Sequence, residues 1–176
     1  MKHKPDTNEY AAFYETYVSL VPDVDIVATL EAQRLQMMQL LAGRSERDGN
    51  FRYAPGKWTV KDVIGHLADS ERIFAYRALR IARGDATPLS GFEQDDYVRE
   101  AGAGSRQLRD LAEEFAAVRD ATVALYRSLS DTARKRRGSA NKNEVTVRAL
   151  AFLIAGHELH HRNILEQRYF AAIPRA

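Results

Sequence analysis

The sequence predicts an all-α protein, a four-helix bundle with one long crossover loop. In four long segments, apolar residues recur at spacings of three and four, the period of a helix with one buried face. No segment alternates polar and apolar residues between turn signals, as a half-buried strand would. The 176 residues are enough to enclose a core, and we expect a single domain over residues 1–176.

The first two long helices are predicted from their apolar stripes and from the residues at their ends. We expect the first over about residues 25–44, preceded by a shorter helix over about residues 8–20. The second follows Thr59, whose hydroxyl can accept a hydrogen bond from an N–H of the first turn. Asp62 lies in that first turn, where the helix dipole favours a negative charge. Gly84 is expected to end it.

The other two long helices follow two polar segments. Residues 84–104 are rich in turn residues and predict a long connection, with a short helix over about residues 93–101. The third long helix is expected over about residues 105–129. A polar loop over residues 130–144 then leads to the fourth helix, over about residues 147–170.

Composition and charge exclude several classes of protein. Lys and Arg (26) nearly balance Asp and Glu (24), so the net charge of +2 creates no strong field for nucleic acid or anionic lipid. The chain has no cysteine, which excludes disulfides, thiolate zinc clusters and a catalytic thiol of its own. The N-terminus lacks an apolar secretory signal, and the longest apolar run is too short to span a bilayer. We therefore expect a cytoplasmic protein with no membrane partner.

The string HELHH at residues 157–161 holds the most informative side chains. Residues four apart on a helix differ by about 40° around the axis, so His157 and His161 point the same way. They share the apolar stripe that faces the bundle interior. Buried imidazoles need hydrogen-bond partners or a metal, and one metal ion would satisfy both.

The same string contains H-E-x-x-H, the pattern of zinc peptidases, but the third ligand of such a site is missing. No histidine follows His161, and Glu166 lies on the same helix about 140° away from it. His66, on the second helix toward the edge of its apolar face, is the other histidine in a segment expected to be ordered. One histidine from the second helix and two from the fourth would form a three-nitrogen site with an open position.

Three segments resemble the DinB/YfiT-like metal-binding bundle proteins. They are PGKWTVKDVIGHLADSERIFAYRALRIARGD at 55–85, GFEQDDYV at 91–98 and VTVRALAFLIAGHELHHRNILEQRYF at 145–170. The resemblance implies a four-helix bundle around one divalent metal, usually zinc or nickel. Its ligand pattern falls on His66, His157 and His161. Similar proteins include bacillithiol-dependent S-transferases and a mycothiol-dependent isomerase, and they are often dimers.

Two functions follow as hypotheses. The first is a metal-dependent enzyme, a thiol S-transferase or a hydrolase, in which the open position binds a low-molecular-weight thiol that attacks a small electrophilic substrate. The alternative is a non-catalytic metal-binding stress-response module stabilised by its metal. We also expect a homodimer, because Tyr10, Phe13 and Tyr14 would give the short N-terminal helix an apolar surface.

Several carboxylates have two interpretations each. Asp62 or Asp69, one turn to either side of His66, would orient its ring. Asp95 and Asp96 fit a polar turn better than a role at the metal. Glu158 would either reach a neighbouring arginine or act as a base.

Three other features are interpreted mainly as structural. Trp58 is expected to pack in the core, with a substrate wall as its second interpretation. His160 is expected beside the metal site or at its rim. The basic run at 134–137 is expected to be a solvated surface, and nucleic-acid binding is not expected.

Overall fold

The four predicted long helices are present in the computed structural model, which describes residues 4–173. Within that range the α-helices are α1 Glu15–Val18, α2 Ile26–Leu41, α3 Glu46–Gly49, α4 Val60–Ala82, α5 Gln94–Ala101, α6 Leu108–Ser128, α7 Asp131–Arg134 and α8 Val147–Ile164. Two strands, β1 Arg137–Ala140 and β2 Asn143–Thr146, lie between α7 and α8. Helices α2, α4, α6 and α8 form the bundle, and α8 is buried along most of its length. The all-α four-helix prediction is confirmed for the framework.

The start and end of α4 follow the predicted signals. The Thr59 hydroxyl accepts from the Asp62 N–H at 3.0 Å, and the Asp62 carboxylate accepts from the Thr59 N–H at 2.9 Å. This reciprocal pair satisfies two N–H groups that the helix leaves unpaired. Gly84 follows the helix with a φ of +82°, a conformation that glycine adopts without strain.

The prediction of one helix over residues 8–20 is wrong, because tertiary contacts hold this segment in short turns. Only α1, one turn long, is α-helical; 3-10 turns cover Thr7–Glu9 and Ala12–Tyr14. The Glu9 carboxylate accepts from the Thr146 hydroxyl and from Arg148 at the start of α8, each at 2.7 Å. These contacts with a distant segment outweigh the local preference for a continuous helix.

The prediction of a polar loop over residues 130–144 is also wrong. It contains α7 and most of an antiparallel hairpin, in which Arg137 pairs with Thr146 and Ala140 with Asn143. Asn141 and Lys142 form the two-residue turn, both at positive φ (51° and 63°), as tight hairpins require. Strands of four residues are too short to show a clear alternation of polarity, so the pattern missed them.

The basic run at 134–137 contacts the protein itself. Arg134 donates to the Tyr126 carbonyl at 2.9 Å, Arg136 donates to the Ala82 carbonyl, and Arg137 donates to the Asn8 carbonyl at 2.8 Å. Two of these carbonyls belong to helix C-termini, where cations are favourable. Lys135, Arg136 and Arg137 are exposed, in agreement with the solvated-surface interpretation, whereas Arg134 is half-buried.

Two other predicted boundaries shift. The third long helix begins at Leu108, because residues 103–105 form a separate 3-10 turn in which the Ser105 hydroxyl donates to the Gly102 carbonyl at 2.8 Å. The fourth is α-helical only to Ile164 and continues as a π-helical segment, Leu165–Phe170.

A buried ion pair crosses the middle of the bundle. Arg119 of α6, which is fully buried, donates through Nε to both carboxylate oxygens of Glu71 of α4, at 2.8 and 3.0 Å. Arg119 also donates to the side chain of Gln33 in α2, and Gln33 donates to the Ala155 carbonyl in α8 at 2.9 Å. These hydrogen bonds connect all four bundle helices, and they reach α8 at Ala155, two residues before His157.

No helix among residues 4–173 is long and apolar enough to cross a membrane.

Candidate metal centre

Three histidines meet between α4 and α8. His66, His157 and His161 each present a ring nitrogen, and these nitrogens lie within 4.8 Å of one another. Nε2 of His66 and Nε2 of His157 are 3.0 Å apart. His66 and His157 are 4 % and 7 % exposed, and His161 is half-buried. His66 is therefore an interior residue rather than an edge residue of its helix.

The three side chains fit a divalent metal ion in spacing and in protonation. Two nitrogens about 2.1 Å from a tetrahedral zinc ion lie about 3.4 Å apart. This distance falls between the 3.0 Å that separates the His66 and His157 nitrogens and the 4.8 Å within which all three nitrogens lie. Burial lowers the pKa of His66 to about 4 and, together with the neighbouring histidines, lowers the pKa of His161 to about 3. Burial also holds the pKa of His157 well below its usual value. All three rings are neutral at pH 7, which is the form that binds metals.

The side chain beside the second nitrogen of His66 is Ser70. Its hydroxyl oxygen lies 3.4 Å from Nδ1 of His66, one helical turn further along α4. The expectation that Asp62 or Asp69 would orient the ring is wrong. Asp62 caps the helix, and Asp69 pairs with Arg72 at 3.1 Å. Ser70 stands four residues after His66, the same spacing that places His157 and His161 on one face of their helix. The sequence alone could therefore have indicated Ser70 as a neighbour of His66.

Aromatic rings surround the three histidines. The Trp58 ring lies 4.8 Å from the His66 ring and stacks on His161 at 6.3 Å. Trp58 also packs against the core, as expected. The Tyr17 and Phe74 rings meet His157 edge-on at 5.3 and 6.0 Å. Tyr17 comes from the N-terminal segment, and no local pattern pointed to it.

Glu158 and His160 lie next to the three histidines in sequence but have different surroundings. Glu158 is buried, and its Oε1 lies 3.6 Å from Nε of Arg162. Burial raises the pKa of Glu158 to about 7, although Arg162 and Arg119 oppose the rise. His160 is half-buried, with its ring 5.1 Å from that of His161 and 5.4 Å from that of Tyr17.

The acidic pair of α5 is not brought to the histidines. Asp95 and Asp96 are exposed in the first turn of α5, and Asp96 pairs with Arg99 at 2.9 Å. Neither residue lines the cavity next to the histidines. Their placement agrees with the polar-turn interpretation.

A cavity of about 250 Å³ opens onto His66 and His157. Its wall includes Arg77 and Phe74 of α4 and the aromatic rings of the N-terminal segment. Residues 92–94, from the long connection before α5, complete the wall. The arrangement can hold a metal ion at one end of a cavity large enough for a small molecule.

Solved structures share this fold. YfiT from Bacillus subtilis, described as a probable metal-dependent hydrolase with an unusual four-helix bundle topology, superposes with a TM-score of 0.72. It is 19% identical, over 81% of this chain and 85% of its own. A DinB-like protein, YjoA of Bacillus subtilis, has a TM-score of 0.58 and 23% identity, over 80% of this chain and 86% of its own.

A third similar structure is a mycothiol-dependent maleylpyruvate isomerase, with a TM-score of 0.67 and 12% identity. The match covers 82% of this chain but only 60% of the isomerase. No curated protein matches the sequence. The sequence profile of the DinB superfamily matches residues 29–165, which contain all three histidines. The chain therefore belongs to the DinB superfamily.

Proposed function

We propose that this protein is a metal-dependent enzyme of the thiol S-transferase type, with zinc or nickel held by His66, His157 and His161. The observation that carries the proposal is the group of three neutral imidazoles within 4.8 Å at one end of a cavity. A divalent ion with three protein ligands keeps a position for an exogenous group, and it supplies a Lewis acid that lowers the pKa of a thiol.

The chain's own residues orient the site and restrict water. Ser70 holds the ring of His66 through Nδ1, which leaves Nε2 directed at the other two histidines. The rings of Trp58, Tyr17 and Phe74 pack against the imidazoles and limit the access of water. A small thiol and its electrophile would enter through the cavity above them.

The lining of the cavity favours a thiol over water as the nucleophile. Among the lining residues the carboxylate is that of Glu93, which is exposed, and buried Glu158 is not part of the wall. A hydrolase of this type usually needs a base beside the attacking water. A thiol needs less help, since a lowered pKa alone makes it nucleophilic. In the transfer a carbon–sulfur bond forms, the leaving group departs with its electron pair, and the thiol proton passes to solvent.

The test compares metal content and activity in three proteins purified without a histidine tag. We expect one divalent ion per chain in the wild type and in His160→Ala, whose histidine lies beside the three candidate ligands, and loss of the ion from His157→Ala. With 2-mercaptoethanol and the electrophile 1-chloro-2,4-dinitrobenzene, thiol consumption should require metal. Full activity of metal-free protein, or metal retained by His157→Ala, would contradict the proposal.

A non-catalytic metal module is the second candidate. It is favoured by the burial of His66 and His157, because a bound ion would stabilise two imidazoles whose ring nitrogens already lie 3.0 Å apart. Under this alternative, chelation lowers the melting temperature by many degrees, and a broad panel of thiols and electrophiles shows no turnover. Metal-dependent turnover would exclude it.

We also propose a cytoplasmic homodimer of a single domain spanning residues 1–176. The aromatic surface expected to support the dimer is smaller than predicted. Tyr10 is buried in the core and Tyr14 packs against it, which leaves Phe13 exposed. Sedimentation analysis of the wild type and Phe13→Ser tests the state and this contact, and a monomeric wild type would contradict the dimer.

A further inference from the structure

We propose that Arg77 forms a carboxylate-binding subsite in the cavity beside the three histidines. The ligand would then carry a carboxylate at the end away from the metal, whether on the thiol or on the electrophile. The subsite rests on the proposed function, because it specifies the chemical class of a molecule that enters the same cavity. The binding of the anion itself does not require a metal.

The first argument is the unpaired charge of Arg77. Its side chain is buried, with 3% of the residue exposed, yet it lines the cavity. Nη2 donates to the Ser90 carbonyl at 2.6 Å, and the guanidinium lies beside the Tyr14 phenol. Within residues 4–173, no carboxylate lies within ion-pairing distance of Arg77. The other buried arginine of the bundle core, Arg119, is neutralised by Glu71.

An unpaired buried cation is costly, because it has lost its water without gaining a counter-ion. Burial lowers the pKa of Arg77, but a guanidinium stays protonated in proteins at neutral pH. The cost falls when an anion from solution enters the cavity. Arginine suits this task, since its planar fork can donate two parallel hydrogen bonds to a carboxylate.

The second argument is the alignment of Arg77 with His66. The two residues are eleven positions apart on α4, a rotation about 20° beyond three full turns, so they lie on one face with their Cα atoms about 16 Å apart. Helical side chains tilt toward the N-terminus, and the Arg77 side chain therefore leans toward His66. Both line the same cavity. A ligand with one end at the histidines and several carbon atoms in its chain can place a carboxylate at the guanidinium.

The charges around the cavity favour a monoanion. Arg77 supplies one positive charge, and Tyr14 and Asn141, which also line the cavity, add neutral polar groups. Glu93, exposed on the cavity wall, would repel a second negative charge. A carboxylate matches this arrangement better than a phosphate dianion.

The test has an arm without metal and an arm with metal. In the first, hexanoate, a monocarboxylate, is titrated into chelated protein and followed by Trp58 fluorescence, since the Trp58 ring packs on His66. The key variant is Arg77→Met, which keeps an unbranched apolar stem and removes the charge. The control is Arg83→Met, an exposed arginine one residue beyond α4. We expect at least about tenfold weaker hexanoate binding in Arg77→Met alone, the usual effect of losing a charge-assisted hydrogen bond.

In the second arm, cobalt-loaded protein binds 6-mercaptohexanoate or neutral 6-mercaptohexanol, detected by thiolate-to-metal charge-transfer absorption. The wild type should prefer the carboxylate by about tenfold, and Arg77→Met should lose this preference while it still binds the alcohol. Transfer assays in which the carboxylate sits on the electrophile instead, as in 4-(bromomethyl)benzoate, then show which partner uses the subsite.

The outcomes separate the two proposals. Equal hexanoate binding by the wild type and Arg77→Met would overturn the subsite, whatever the thiols do. Arg77-dependent hexanoate binding with no thiol absorption band would support the subsite and count against the S-transferase.

Discussion

Gly156 of α8 lies directly against the main chain of Tyr17. A Cβ placed on Gly156 would stand 2.1 Å from the Tyr17 carbonyl oxygen, which real atoms cannot do without moving backbone. His157 follows Gly156, and its ring meets the Tyr17 ring at 5.3 Å. The absence of a side chain at position 156 therefore lets the N-terminal segment close over the three histidines.

Gly156→Ala should destabilise the protein by about 1 to 3 kcal/mol, the usual cost of overpacking an interior. The expected cause is displacement of α1 from α8, because the added methyl group would meet the Tyr17 main chain. Urea unfolding measures the stability. Gly104→Ala is the matched control, because a Cβ there has no atom within 4 Å. Equal stability of the two variants would contradict the close contact.

Arg119→Met should be among the most destabilising single changes, by about 3 to 5 kcal/mol, because it leaves the Glu71 carboxylate buried without a partner. The double variant Arg119→Met, Glu71→Leu should recover much of the loss, since it removes both charges. Arg109→Met, which breaks an exposed ion pair with Glu113, should cost under about 1 kcal/mol. A double variant as unstable as Arg119→Met would show that the ion pair is not the cause.

Ser70→Ala should weaken metal binding by about tenfold and leave the fold intact, because the alanine no longer holds Nδ1 of His66. Competition with a chromophoric chelator measures the affinity. Ser128→Ala, whose exposed hydroxyl bonds the Leu125 carbonyl, is the control and should bind metal like the wild type. Unchanged affinity in Ser70→Ala would remove Ser70 from the site.

The carboxylate of Glu9 should make stability depend on acid pH. Burial raises its pKa, but hydrogen bonds from Arg148, Thr146 and the Asp6 N–H outweigh that effect and lower the pKa from 4.5 to about 2. A carboxylate with a lowered pKa in the folded state stabilises fully above its unfolded pKa, by roughly 3 kcal/mol here. This contribution is lost as the pH falls from about 4.5 to about 2.

The free energy of unfolding of the wild type and of Glu9→Gln should therefore differ most above about pH 5 and converge near about pH 2. Urea unfolding across this range measures the difference. A gap that persists unchanged at the acid end would mean that the ionised carboxylate is not its source.

The sequence by itself determined the four long helices and the shared direction of His157 and His161. These features depend on local rules, because a helical stripe, the Thr59 cap and a four-residue spacing require only neighbours along the chain. It also indicated His66 as the third member of the group, by elimination and by family resemblance. The metal that these residues are proposed to hold follows from the chemistry of imidazole.

Only the tertiary structure decided the contacts between segments distant in sequence. It brought His66 to 3.0 Å from His157, 91 residues away, and placed the N-terminal turns over the site. It buried Arg77 beside the cavity without a carboxylate partner among the described residues. Such outcomes depend on which helix faces meet and which charges are buried together, and no pattern within one segment contains that information.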